Sequence, residues 1–255
     1  MSDVARARSR TARPSGAAGA TAPRPRRSGA APTTAPGAGF SLPADLLASL
    51  LADGDEELVV WALRNSITEQ GRARAYDDFL TAAMALVGEN WYEGRWGIAE
   101  EHLASQTLLR ALDAVRPAPT TELRSAPLAV LAGVPGEHHM IGLVCLGHVL
   151  EEGGWSVANL GADIPGSDVA RFASRQGGRL VAITASLEDR LPAVRETIAA
   201  IRGSTAAADA AIVLGGRLAS TPGRAADLAI DWAGSSLAEA EPVLAKLRDR
   251  AAATR

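Results

Sequence analysis

From Pro127 onward the chain repeats one pattern, a short apolar run followed by a helical stretch. Apolar runs fall at 128–133, 155–160, 179–184, 211–214 and 228–231, and helical stretches at 139–152, 167–176, 189–202, 218–225 and 237–252. Strand alternating with helix is the signature of a parallel sheet covered on both faces. The spacing therefore predicts an α/β, Rossmann-like (flavodoxin-like) domain. In such sheets ligands bind beyond the carboxyl ends of the strands, so the loops after the strands are where chemistry is sought first.

The first of these loops is Val134-Pro-Gly-Glu-His-His-Met-Ile-Gly142. Glu137, His139 and Gly142 are spaced as acid-x-His-x-x-Gly. An imidazole presented at a strand end, with a carboxylate two residues earlier to orient it, is the usual pair around a metal. Gly142 lets something bulky approach the backbone. Of the other histidines, His148 and His138 each read as a partly exposed or satisfied polar residue, and Cys145 reads as a buried structural thiol. Two glycines after the fourth apolar run, Gly215 and Gly216, fit a tight turn or the close approach of a ligand.

Upstream of the sheet the period is helical. Ser41 and Pro43 suit a helix start, with Leu46, Leu47, Leu50 and Leu51 on one face. Further helices are predicted over 55–68, 73–87 and 98–115, and short loops between them predict an antiparallel four-helix bundle. The domains predicted are a disordered basic tail (1–39), the bundle (40–115), a linker (116–126) and the α/β domain (127–255). Trp96 reads as bundle core.

The acid-x-His-x-x-Gly loop, placed after the first strand, resembles the motif of the cobalamin-binding domain, over roughly residues 40–250. That resemblance implies His139 as the lower ligand of cobalt and the chain's metal-binding residue. Glu137 would tune it, and Gly142 would make room for the displaced nucleotide tail. It also implies cofactor contacts at Gly161, in the loop Leu160–Pro165, and at the Gly-Gly pair Gly215 and Gly216. The family's strand-end serine is matched by Thr184-Ala-Ser186, where either Thr184 or Ser186 supplies the hydroxyl.

In the bundle, Trp91 is followed after nine residues by Glu101-His102. This spacing resembles the light-sensing cobalamin proteins related to the CarH (MerR-type) repressors. The resemblance implies Trp91 packed over the upper corrin face, with Glu101 and His102 holding the adenosyl group or the assembly built on it. Some members carry a histidine directly after the tryptophan; here it is Tyr92, so that position supplies no upper ligand to cobalt. Those repressors read DNA through a helix-turn-helix domain, whereas this sequence has only the basic tail ahead of the bundle, so no operator readout is expected. The implied function is a cobalamin-dependent light or cobalamin sensor acting through a partner transcription regulator, with self-association as a further expectation. Adenosylcobalamin is the favoured cofactor and methylcobalamin the second. The alternative is a corrinoid methyl-carrier subunit of a methyltransferase system. No nucleophile–base pair points to independent catalysis.

Composition narrows the remaining classes. The net charge of −3 does not suit a nucleic-acid binder. It is uneven: residues 1–39 hold seven Arg against one Asp, a formal +6, which leaves −9 for the rest. A solubilising tail is the simpler reading of that segment, and an anionic partner the other. One cysteine forms no internal disulfide, which fits a cytoplasmic location. No apolar run reaches the roughly 18–20 residues needed to cross a bilayer, so no membrane partner is expected. There is no G-x-G-x-x-G after the first strand and no phosphate-binding G-x-x-x-x-G-K-[ST].

Overall fold

The computed structural model describes residues 42–118, 125–221 and 227–253. The tail, the 119–124 part of the linker and Ser41 lie outside these residues.

The helical region begins with α1 (Ala44–Asp53), which ends where Gly54 turns into the left-handed conformation and returns its N–H to Leu50 and Leu51. Asp55 then starts α2 (Glu56–Gln70), its carboxylate accepting from the Leu58 N–H at 3.2 Å. Next comes one long helical run: α3 (Arg72–Ala75), a π turn (Tyr76–Leu80) and α4 (Thr81–Tyr92). It extends past the predicted end at Val87, which puts Trp91 at the end of a helix. A loop leads to α5 (Ile98–Ala114), whose Glu100 carboxylate accepts from the Gly97 N–H at 2.9 Å. These four segments pack as a bundle around Leu47, Leu51, Leu63, Tyr76, Leu108 and Leu112. Trp96 packs against that core, as expected, while Leu46 of the predicted apolar face is exposed.

The sheet has five parallel strands in the order β2-β1-β3-β4-β5: β1 (Leu128–Gly133), β2 (Ser156–Asn159), β3 (Gly178–Thr184), β4 (Ala211–Gly215) and β5 (Trp232–Ala233). Alternation along β1 serves both faces. Val130 and Ala132 pack with α7 (Gly166–Gln176) and α8 (Leu191–Arg202). Ala129 and Leu131 pack with α6 (Ile141–Glu152) and α9 (Leu237–Ala253). The fold is the Rossmann-like one expected, with a helical bundle ahead of it.

Two elements of the α/β region also differ from the sequence reading. The fifth strand is not 228–231 but the two residues Trp232–Ala233. Asp231 holds the place of the missing strand: its N–H donates to the Ile212 carbonyl (2.8 Å), and its carboxylate accepts from the Ile212 N–H (2.9 Å). A side chain thus completes the ladder at this edge, while Leu228 and Ile230 pack on the core. The helix predicted at 218–225 is a 3₁₀ turn, Arg217–Ser220, and residues 222–226 lie outside the described residues.

Helix α6 joins the two regions. Its Leu143 and Leu150 face the sheet, and its Cys145 and Val149 belong to the bundle core. The π turn and Arg72 of α3 make the other joins. The Asp77 carboxylate accepts from Ser236 Oγ (2.8 Å) and from the N–H groups of Leu237 and Ala238 (both 2.9 Å), capping α9. Arg72 and Tyr76 reach His148 and Glu152 on α6.

Candidate functional site

The strand order reverses between β2-β1 and β3-β4, and the loops after these strands meet there. Backbone bonds knit them together. Gly133 N–H donates to Gly161 O (2.8 Å) and Asp163 N–H to Glu137 O (2.9 Å), joining the loops after β1 and β2. Ala185 N–H donates to Gly215 O (3.2 Å), joining those after β3 and β4.

Glu137 is the knot of this site. It is 2 % exposed, and its two oxygens serve different loops. Oε1 meets His139 Nδ1 at 2.5 Å and the His139 N–H at 2.8 Å, while Oε2 accepts from the Ser186 N–H at 2.5 Å. Burial acts to raise the Glu137 pKa, but the hydrogen bonds and the His139 charge outweigh it and bring it down to about 2. The carboxylate is therefore ionised at neutral pH and holds His139 by Nδ1, which leaves Nε2 as the outward nitrogen. The His139 side chain is 71 % exposed. Its pKa is raised, first by the hydrogen bond to Glu137; burial opposes this, the charges of Glu137 and Glu101 add to it, and that of Arg217 lowers it.

Beneath His139 a cavity of about 510 Å³ opens between the sheet edge, α6, α9 and the π turn. His139, Gly142, Thr184, Ser186, Gly215 and Gly216 all line it. Its inner wall is apolar, with Leu143, Leu146, Ile183, Val213 and Leu244, and its bundle wall holds Tyr76, Asp77, Leu80 and Met84. A side chain placed at Gly142 would meet nothing within 4 Å, so it would occupy the cavity. Gly216 is the opposite case. Its φ is +90°, and a Cβ there would collide with the Ala185 carbonyl oxygen. Its small size is needed by the fold, whereas that of Gly142 keeps space open.

The chain matches the B12 binding domain family twice, over residues 44–116 and over residues 127–245. This chain is a B12-binding-domain protein. Among curated relatives, the HTH-type transcriptional repressor CarA of Myxococcus xanthus is 44 % identical over 117 residues, which is 44 % of this chain and 36 % of that repressor. The HTH-type transcriptional repressor CarH of the same organism is 35 % identical over 103 residues, 38 % of this chain and 32 % of that one. The match thus spans about a third of the length of either relative. Among solved structures, the monomethylamine corrinoid protein of Methanosarcina barkeri shares the fold with a TM-score of 0.64 at 16 % identity, covering 82 % of this chain and 97 % of that one.

The residues of this B12-binding-domain protein fit the cofactor. One oriented imidazole suits a metal whose other ligands come from a macrocycle, and among the described residues no cluster of three or more His, Cys, Asp or Glu could hold a metal alone. The apolar chamber behind Gly142 suits an uncharged aromatic base. Gly161, with φ +87°, shapes the loop after β2 and does not line the cavity. Trp91, Glu101 and His102 do not line it either. Trp91 is half exposed at the end of α4, and His102 is exposed with Nε2 3.5 Å from Glu101. Of the three, the Glu101 carboxylate is close enough to act on His139. The sequence reading missed Tyr76, Asp77 and Arg217 as cavity residues. Arg217 follows the Gly-Gly pair directly, and that position was the available signal.

Proposed function

We propose that this protein is a regulatory cobalamin sensor, binding adenosylcobalamin and acting through a protein partner such as a transcription regulator. The observation that carries this reading is the Trp91-x9-Glu101-His102 spacing, in a chain similar to two transcriptional repressors. His139 is the lower cobalt ligand, Glu137 its orienting carboxylate, and Gly142, Thr184, Ser186, Gly215 and Gly216 line the space for the nucleotide tail. Trp91, Glu101 and His102 act on the upper, adenosyl side, which the bundle helices α4 and α5 supply. Loss of the adenosyl group in light removes contacts made in one arrangement only, and so shifts the population of arrangements. No helix of the described residues is long and apolar enough to cross a membrane.

The second reading is a corrinoid methyl carrier, favoured by the shared fold with the monomethylamine corrinoid protein. One experiment separates them. The protein is loaded with adenosylcobalamin in the dark, and its visible spectrum and elution volume are recorded before and after green light. A histidine-ligated spectrum that changes in light, with a change in assembly or in partner binding, supports the sensor. An unchanged assembly, with methylcobalamin bound equally well and methyl transfer from a donor, supports the carrier.

A further inference from the structure

Arg217 is the single arginine or lysine among the described residues that line the cavity. It is exposed, and no carboxylate lies within salt-bridge distance of it among the described residues. Among the described residues its one side-chain bond is long, Nε to the Ser186 carbonyl at 3.5 Å. The other charged side chains of the cavity are committed. Asp77 caps α9, and His139 is held by Glu137. Arg217 thus places an unneutralised guanidinium between the loops after β3 and β4, at the mouth of the chamber.

The chamber behind that mouth is apolar, and an ion moved into it would lose hydration without a partner. Cobalamin's nucleotide tail has two chemically distinct parts. The benzimidazole is neutral and flat and can enter such a chamber. The phosphodiester that links it to the corrin is an anion and must stay where a counter-charge or water meets it.

We propose that Arg217 is the seat of the tail phosphodiester and makes this site selective for corrinoids that carry a nucleotide-loop phosphate. The proposal rests on the cobalamin site described above and adds a recognition element to it. A planar guanidinium donates two parallel hydrogen bonds to phosphate oxygens, which an ammonium does not match.

The test is an affinity comparison by spectral titration with three ligands: adenosylcobalamin, adenosylcobinamide phosphate (phosphate kept, base absent) and adenosylcobinamide (both absent). It uses the wild type, Arg217→Gln and Arg217→Lys. A charged hydrogen bond predicts roughly a tenfold weakening in Arg217→Gln for the two phosphate-bearing ligands. Adenosylcobinamide should bind both proteins alike, and Arg217→Lys should recover part of the loss. An equal loss for all three ligands would assign Arg217 to the corrin rim and overturn the proposal, as would no loss for any. Wild-type protein that binds none of the three marks failure of the cobalamin site itself.

Discussion

The hydroxyl of Tyr76 lies 2.8 Å from Nδ1 of His148, a bond between the bundle and the sheet domain. Arg72 Nη1 donates to the same hydroxyl oxygen at 2.9 Å, and to the Val115 carbonyl at 2.8 Å. Arginine has no acceptor, so the Tyr76 proton is directed at His148, which accepts it only as a neutral ring. Burial, followed by the Arg72 charge, pushes the His148 pKa down to about 4. The unfolded chain therefore binds a proton at a pH where the folded one does not. Stability from this site is complete above pH 6.5 and is lost as pH falls towards 4. Between pH 7 and pH 5 the expected loss is about 2 kcal/mol. Urea unfolding at both pH values checks it: His148→Gln should show the smaller difference, and equal differences would remove His148 as the cause.

If His139 ligates cobalt as proposed, the Glu137–His139 pair is expected to set the pH range of cofactor binding. Only neutral His139 can ligate cobalt, and its pKa is raised by Glu137. Affinity is expected to decline as pH falls through that raised value. Glu137→Gln removes the charge, so the decline should move to lower pH while affinity at neutral pH falls about tenfold. Spectral titrations across pH 5–8 measure both. A pH profile identical to wild type would separate Glu137 from His139 ligation.

Gly142 and Gly216 are expected to fail in different ways. Gly142→Leu has room and should fold with an unchanged melting temperature, yet fill the chamber and lose cobalamin binding. Gly216→Ala meets the Ala185 carbonyl at a positive φ and should lose about 2–4 kcal/mol of stability. Thermal melts with spectral titration distinguish the two, and a stable Gly216→Ala protein would contradict the geometry.

Asp77→Ala leaves three donors at the start of α9 without their acceptor. The expected cost is about 2–3 kcal/mol. Hydrogen exchange should speed up most at Leu237 and Ala238. Unchanged protection at those two amides would mean that Asp77 does not hold the helix in solution.

The strands of the sheet were legible because buried parallel strands are short continuous apolar runs, and β1, β3 and β4 read that way. The fifth was misplaced because the apolar residues at 228–230 pack as loop, and the Asp231 carboxylate, which no periodicity records, supplies a bond of the ladder. The contact of Glu137 with His139, and the place of Gly142 beside the same cavity, were legible from the spacing together with its position after the first strand, since a loop that presents one imidazole fixes where its partner sits. Tyr76 and Asp77 were not. Their roles depend on a π turn, and Tyr76-Asp-Asp-Phe-Leu80 is composed like any amphipathic helix.

That π turn has a geometric consequence. It holds one residue more than an α-helical turn would over the same path. One residue is about 100° of rotation. Deleting it would leave Arg72 and Tyr76 where they are and swing Thr81–Tyr92 about its own axis, carrying Met84 off the chamber and Ala83 and Val87 out of the bundle core. The ceiling of the chamber and the anchor to His148 are thus kept in phase by a count of residues along one helix, and a single-residue deletion there would separate them without changing any side chain.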